Sequence, residues 1–162
     1  MTTLPKPDWR FLLARPAHFL ALGFGSGLLT PAPGTWGTLA ALPLAWGLLQ
    51  LGLGGLWLAL LALPLFVLGV YLCDVTGRAL GVADSGHIVW DEIVAMLLVL
   101  AFVPATPLAW LAAFIAFRCF DIIKPWPIRW LDAHVHGGFG VMLDDLVAGI
   151  FATVVLKLLA QL

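Results

Sequence analysis

The chain has 162 residues, of which 62% are hydrophobic and only 10% charged. A soluble globular domain is nearer half apolar and a quarter charged, so this composition excludes an ordinary soluble domain and indicates an integral membrane protein. The formal net charge of −1 gives no sign of a nucleic-acid-binding or polybasic surface. The length suits a single membrane-embedded domain over residues 1–162, with residues 1–15 as a cytoplasmic N-terminal segment.

The two cysteines, Cys73 and Cys119, lie at the ends of apolar stretches and lack CxxC or His-rich spacing. We therefore expect neither a disulfide nor a zinc site. The polar N-terminus has no short apolar core followed by a small-residue cleavage site. We expect no removable signal peptide.

The first apolar segment, residues 18–38, is interrupted by several glycines and prolines. These residues disfavour a continuous helix. Non-helical backbone at membrane depth is tolerated only where it is buried in protein or lines a wet cavity. We therefore predict a re-entrant or buried Gly/Pro-rich loop that faces a polar site.

Five later apolar stretches are predicted to form helices, although the first and third are short for a membrane span. In chain order they cover residues 39–51, 56–73, 88–103, 108–123 and 141–162. The predicted fold is an all-α integral membrane bundle of about four to five transmembrane helices.

Basic residues orient this bundle, because cytoplasmic loops of membrane proteins are enriched in Lys and Arg. Lys6, Arg10 and Arg15 place the N-terminus in the cytoplasm, and the uncharged turns at 52–55 and 104–107 then fall outside. Every acid except Asp8 lies in the two segments that return to the cytoplasmic side, 74–92 and 118–145. We predict a multi-pass protein with its polar site at the cytoplasmic face.

Five carboxylates are predicted to meet at this face. Asp91 and Glu92 are expected to open the third helix, Asp144 and Asp145 the fifth, and Asp121 lies near the end of the fourth. The helix macrodipole also favours acids at a helix start, by about 0.3–1 kcal/mol, so capping is an alternative for each pair. Capping does not explain Asp121, because this acid lies at the wrong end of its helix. Five acids brought together would also repel one another strongly without a counter-ion. Because oxygen-only ligands favour Mg²⁺ over zinc, all five are predicted Mg²⁺ ligands.

Cations and small polar residues near these acids indicate a phosphate-binding site. Arg118 and Lys124 are predicted to hold phosphate oxygens, with snorkelling to lipid headgroups as the alternative. Gly34, Thr35 and Thr38 lie in the Gly/Pro-rich segment, where backbone N–H groups can form an anion-binding nest. Local capping by the threonines is the alternative there. A bound metal could polarise the phosphorus and activate a water molecule.

The other polar residues of this face are expected to lie outside the site. Asp84 and Asp132 are interpreted as solvated loop acids, with a role as metal ligands as the alternative. His87, His134 and His136 are interpreted as interfacial polar residues rather than bases.

Four motifs resemble the phosphatidylglycerophosphatase A family, and they occur in the family's order between residues 18 and 150. They are PAPGTWGT (31–38), IVWDE (88–92), FRCFDIIKPWPI (117–128) and GVMLDDLVAG (140–149). The resemblance implies a multi-pass enzyme of the bacterial inner membrane that uses Mg²⁺ to hydrolyse phosphatidylglycerophosphate to phosphatidylglycerol and phosphate. We predict Asp91, Asp145 and Lys124 as its catalytic residues, acting on a membrane lipid and on no nucleic acid.

Two other functions also use acids in a membrane bundle. A CDP-alcohol phosphotransferase needs Mg²⁺ and membrane carboxylates, but its signature of spaced acids is absent from this sequence. A small carrier or channel with an acidic cation-binding pocket stays open, although carriers typically place polar sites near the midplane and contain repeats. Within the phosphatase hypothesis, attack by metal-bound water is simpler than a phospho-aspartate intermediate, and both stay open.

Overall fold

The computed structural model describes residues 6–161, which form helices joined by loops without any β-strand. A 3-10 segment, Gly23–Leu28, lies between the second and third α-helices. The α-helices are α1 (Trp9–Ala14), α2 (Pro16–Ala21), α3 (Pro33–Gln50), α4 (Leu56–Leu80), α5 (Trp90–Leu100), α6 (Pro107–Ile123), α7 (Ile128–His134) and α8 (Gly137–Leu159). The predicted all-α bundle is confirmed. Residues 1–5 of the predicted N-terminal segment and residue 162 lie outside the described part.

Helices α4 and α8 are each long and apolar enough to cross a membrane. The 25 residues of α4 extend about 37 Å at 1.5 Å per residue, more than a hydrocarbon core of about 30 Å. Their outward faces carry large exposed apolar side chains, such as Leu63, Val67 and Val154. An apolar surface of this kind is suited to contact with lipid tails rather than with water.

Helix α5 forms the centre of the bundle, because α3, α4, α6 and α8 all pack against it. It has only 11 residues, about 17 Å, which is too short to cross a membrane alone. Its side chains Ile93, Val94, Met96 and Val99 are each at most 1% exposed. A helix that is apolar on all sides is a core helix, and α5 is shielded by its neighbours.

The five predicted helices occur where the sequence predicts them, as α3, α4, α5, α6 and α8, but several bounds differ. Helix α3 begins at Pro33, six residues before the predicted start, because proline is favoured in the first turn, where its missing N–H needs no partner. Helix α4 continues to Leu80 and ends at Gly81, whose left-handed backbone (φ 73°) is a favoured helix terminator. Helix α8 begins at Gly137, four residues early, and the short helix α7 was not predicted.

Small residues bring α4 and α8 close together. A β-carbon at Gly138 would overlap the Val70 carbonyl oxygen, and one at Gly69 would overlap the Met142 sulfur. Small residues at such positions allow membrane helices to approach closely and pack by van der Waals contact. This packing overrides the intrinsic cost of glycine in a helix, about 1 kcal/mol per residue, and fixes the N-terminal half of α8 against α4.

Candidate active site

Three carboxylates meet between α5 and α8. Asp91, Glu92 and Asp145 each offer an oxygen, and these oxygens all lie within 4.8 Å of one another. Asp91 is 7% exposed and Asp145 is 4% exposed. We call these three residues the carboxylate triad. Like charges held this close and away from water repel strongly, so the triad requires positive charge or protons.

The Gly-rich segment before α3 holds the start of α5, from which two triad members project. The Val89 N–H donates to the Ala21 carbonyl at 2.9 Å. Nδ1 of His87 lies 2.7 Å from the Gly27 carbonyl oxygen. A β-carbon at Gly37 would lie 2.5 Å from the Val89 side chain, so α3 approaches the same point closely. The predicted buried Gly/Pro-rich segment therefore supports the site by packing against the backbone just before Asp91.

The paired acids of α8 do not open their helix, contrary to the prediction. Asp144 and Asp145 are the eighth and ninth residues of α8, two turns from its start at Gly137. The macrodipole effect fades within the first turn, so capping does not explain this pair. Asp91 and Glu92 do lie in the first turn of α5, as predicted.

Several carboxylate oxygens of the site are buried without a hydrogen-bond donor among the described residues. They are Oδ1 of Asp91, Oε2 of Glu92, Oδ1 of Asp144 and Oδ2 of Asp145. A buried polar atom without a partner costs about 1–3 kcal/mol, and more when it is charged. A hard divalent cation removes this cost, because it takes oxygen ligands only. The donor set therefore fits Mg²⁺.

Arg118 provides the nearest positive charge. Its Nη1 forms an ion pair with Asp121 and lies 3.6 Å from Oε1 of Glu92. Nη1 also lies 3.5 Å from the Thr38 hydroxyl, which donates to the Gly34 carbonyl at 2.8 Å. Arg118 is thus enclosed by acids, and a single guanidinium cannot neutralise all of them. Its predicted contact with phosphate stays a prediction.

The structure places the predicted phosphate-binding residues of the Gly/Pro-rich segment in the first turns of α3, not in a loop. Gly34 is buried against Glu92, whose Oε1 would overlap a β-carbon at this position. Thr35 is partly exposed beside it, whereas Thr38 is 0% exposed beneath Arg118. Because the N-terminus of an 18-residue helix carries partial positive charge, α3 can attract an anion here. The predicted anion nest is therefore replaced by a helix N-terminus.

Lys124 ends α6, as predicted, and faces the second group of acids. Its Nζ lies 2.7 Å from Asp132 on α7 and pairs with Asp144 on α8. Burial alone would lower the pKa of Lys124, but the hydrogen bonds and charges of these two aspartates outweigh it and raise the pKa. The ammonium therefore stays charged. Lys124 has a left-handed backbone (φ 46°), which is strained for a residue with a side chain and often occurs at functional sites.

Two acids interpreted as solvated lie beside the site. Asp84 and Asp132 line, together with Asp144, a small cavity of about 100 Å³. Asp132 is exposed, which agrees with its interpretation as a solvated acid, and it also pairs with Lys124. Asp132 follows Lys124 by eight residues, and a turn lies between them. No local sequence pattern predicts the contact between these two side chains. Desolvation and the nearby Asp132 and Asp121 raise the pKa of Asp84, although Lys124 opposes them.

Comparison with known proteins identifies the family. A family model described as phosphatidylglycerophosphatase A matches residues 19–160. The chain is 51% identical over 152 residues to Phosphatidylglycerophosphatase A of Haemophilus influenzae, covering 93% of this chain and 92% of that protein. It is 45% identical over 161 residues to Phosphatidylglycerophosphatase A of Escherichia coli, covering 96% of this chain and 92% of that protein. No solved structure gives a significant match. The chain therefore belongs to the phosphatidylglycerophosphatase A family.

Proposed function

We propose that this protein is a Mg²⁺-dependent phosphatase that converts phosphatidylglycerophosphate to phosphatidylglycerol and phosphate in a bacterial inner membrane. Two relatives at 45% and 51% identity bear the name phosphatidylglycerophosphatase A. The observation that carries the metal dependence is the set of buried carboxylate oxygens without donors on α5 and α8. A carrier would also need such acids, but it would not need a lysine fixed at the edge of the acid cluster.

The triad acids and Asp121 would hold the Mg²⁺ ion, and Asp144 could reach it from the Lys124 side. Asp121 is linked to the triad through Arg118, which pairs with Asp121 and lies 3.6 Å from Oε1 of Glu92. When bound, Mg²⁺ supplies Lewis acidity at the phosphoryl oxygens and lowers the pKa of a coordinated water. This proposal is compatible with one Mg²⁺ ion or more. The nucleophile that attacks phosphorus is either a water molecule or an aspartate, and water is the simpler of the two.

The protein's own groups would then orient the terminal phosphate. The Lys124 ammonium is a compact charge with three donors and can bind a phosphate oxygen by leaving Asp132. The first turn of α3 lies beside Glu92, whose Oε1 would overlap a β-carbon at Gly34, and its free N–H groups would attract a second oxygen. Arg118 would hold Glu92 and Asp121 in place, since it already contacts both.

The reaction is a hydrolysis in which each bond and proton is accounted for. The water oxygen bonds to phosphorus while the bond from phosphorus to the glycerol oxygen breaks. Asp91 or Asp145 can accept the proton that the water loses and return it to the departing glycerol oxygen, so that the carboxylate is restored. Fixed positive charge near the phosphoryl oxygens stabilises the transition state, an effect worth about 10²–10³-fold per donor.

The cytoplasmic orientation is part of the proposal and rests on charge. The uncharged turns at 51–55 and 101–106 lie near each other, because Gln50, Ala105 and Thr106 line one apolar groove. The acids lie at the opposite ends of the same helices. The basic-residue rule then places the acids inside the cell and the uncharged turns outside.

The experiment is phosphate release from phosphatidylglycerophosphate by the purified protein in detergent micelles containing Mg²⁺. We expect phosphate release by the wild type and loss of at least about 10²-fold in Asp145→Asn, as for lost transition-state stabilisation. The matched control is Asp8→Asn, which replaces an acid outside the carboxylate triad, keeps an N-cap residue on α1 and should retain activity. Folded, monodisperse protein that releases no phosphate would favour the carrier and contradict the phosphatase.

A further inference from the structure

An aromatic and basic groove adjoins the site on the side of α7. It has a volume of about 450 Å³, and its lining includes Lys124, Trp126, Arg129 and Trp130. Trp126 is 81% exposed and Trp130 is 52% exposed, so the groove opens at the surface. Tryptophans at such a position sit at the level of lipid headgroups. We call this feature the α7 groove.

The charges of the α7 groove leave one cation free for a ligand. Lys124 is already paired with Asp132 and Asp144. The Arg129 guanidinium has no carboxylate partner within residues 6–161, and its hydrogen bond to the Ile123 carbonyl is long, at 3.4 Å. A guanidinium presents a planar fork of donors that matches a phosphate with two parallel hydrogen bonds. The groove therefore favours an anion with two free oxygens.

We propose that the α7 groove binds the bridging phosphodiester of the substrate headgroup, with Arg129 as its anchor. This inference rests on the proposed function. The substrate carries a terminal phosphate and, one glycerol away, a phosphodiester that joins the headgroup to the lipid. Lys124 lines the groove and also contacts Asp144, so a headgroup in the groove extends its terminal phosphate toward the acids.

The different charges of the two phosphate groups explain why the headgroup would lie with its diester in the groove and its terminal phosphate toward the acids. The terminal phosphate carries the larger charge and needs the metal and Lys124, whereas the diester carries one charge and needs one guanidinium. The exposed faces of Trp126 and Trp130 provide apolar surface at the depth where a lipid's glycerol region lies. Arg129 is thereby a specificity residue: it recognises the half of the headgroup that is not cleaved.

The alternative role of Arg129 is structural. Its contact with the Ile123 carbonyl lies at the C-terminal end of α6, where a cation interacts favourably with the helix dipole. A capping role would change stability and affect all ligands alike. A diester-binding role affects only ligands that contain the diester, and this difference decides the experiment.

The experiment measures two soluble inhibitors of lipid hydrolysis on the wild type and Arg129→Ala in the same micelles. Glycerophosphoglycerol contains the diester without the terminal phosphate, and inorganic phosphate represents the terminal group alone. We expect Arg129→Ala to raise the inhibition constant of glycerophosphoglycerol and the substrate KM by about 10- to 100-fold, as for a lost charge-assisted hydrogen-bond pair. The inhibition constant of inorganic phosphate and kcat should change less than about 2-fold.

Arg78→Ala is the matched control, because Arg78 is an exposed arginine paired with Asp74 on α4 and lies outside the α7 groove. It should leave both inhibition constants unchanged. Equal weakening of both inhibitors in Arg129→Ala, or no inhibition of the wild type by glycerophosphoglycerol, would overturn the proposal. Binding of glycerophosphoglycerol is also measured directly by the rise in melting temperature that it causes. Failure of the lipid phosphatase assay is then distinct from failure of the groove to bind the diester.

Discussion

Replacement of Gly34 by Ala tests whether the acid cluster needs Glu92 in its observed place. The new methyl group would overlap Oε1 of Glu92 and lie 3.2 Å from Nη1 of Arg118. The overlapped atom is the end of a flexible side chain, so the Glu92 carboxylate can move away while the α3 backbone stays. Gly34→Ala is therefore expected to separate activity from stability.

The two effects have different magnitudes. Overpacking typically costs about 1–3 kcal/mol, and replacing a helical glycine by alanine returns about 1 kcal/mol. The free energy of unfolding should thus fall by no more than about 2 kcal/mol. A displacement of about 1 Å in a catalytic arrangement can lower turnover by about 10²-fold. We expect that loss in phosphate release from phosphatidylglycerophosphate, with a melting temperature only a few degrees below that of the wild type.

Gly47→Ala is the control within the same helix. A β-carbon at Gly47 meets no described heavy atom within 4 Å. This variant should keep wild-type turnover and equal or greater thermal stability, because it gains helix propensity without overlap. Wild-type turnover in Gly34→Ala would refute the reasoning, since the site would then tolerate a displaced Glu92. Equal losses in both glycine variants would show an effect of α3 as a whole.

Three further predictions address the ion, the lysine and the orientation. Removing divalent ions with EDTA should abolish phosphate release, and added Mg²⁺ should restore it; full activity in EDTA would end the metal hypothesis. Asp91→Asn should lose about 10²-fold in turnover. Its melting temperature should be unchanged or raised, because the substitution relieves repulsion between the acids. Lys124→Ala should lose most activity but still insert into the membrane and fold. Lys124→Arg should recover only part of the rate, because the guanidinium of arginine is larger than an ammonium and planar. A near wild-type rate in Lys124→Ala would mean that the ammonium only extends to the lipid headgroups and does not bind the phosphate. In a Cys119→Ser background, a membrane-impermeant thiol reagent added outside cells should label cysteine at Ala105 and not at Gly86; the reverse pattern would invert the topology.

The sequence predicted the parts of the fold that depend on local patterns. Long apolar runs predicted the five principal helices. The acids at positions 91 and 92 were predicted at a helix start because the pair directly precedes an apolar run. The helix end at Lys124 was predicted from the proline that follows it. Each of these predictions uses information within a few residues, where hydropathy and proline chemistry act.

The parts that the sequence did not predict depend on contacts between distant segments. Residues 137–140, rich in glycine, looked like a loop before the fifth helix, yet they form the first turn of α8 because Gly138 fits against the Val70 carbonyl. Lys124 contacts Asp144, which lies 20 residues further along the chain, and Asp132, which lies beyond the intervening turn. No periodicity encodes such contacts, and only the packing of α6, α7 and α8 decides them.

Asp144 and Asp145 illustrate how adjacency in sequence conceals a division of roles. Successive residues on a helix point about 100° apart. Asp145 belongs to the carboxylate triad with Asp91 and Glu92, whereas Asp144 pairs with Lys124 and lines the cavity shared with Asp132. A negative charge on each side of α8 thus serves a different partner. One side gathers the acids that we propose as metal ligands, and the other side pairs with the lysine that we propose as a phosphate-binding group. The proposed reaction needs both, because a phosphate bound to Mg²⁺ would keep negative oxygens that a nearby ammonium can neutralise.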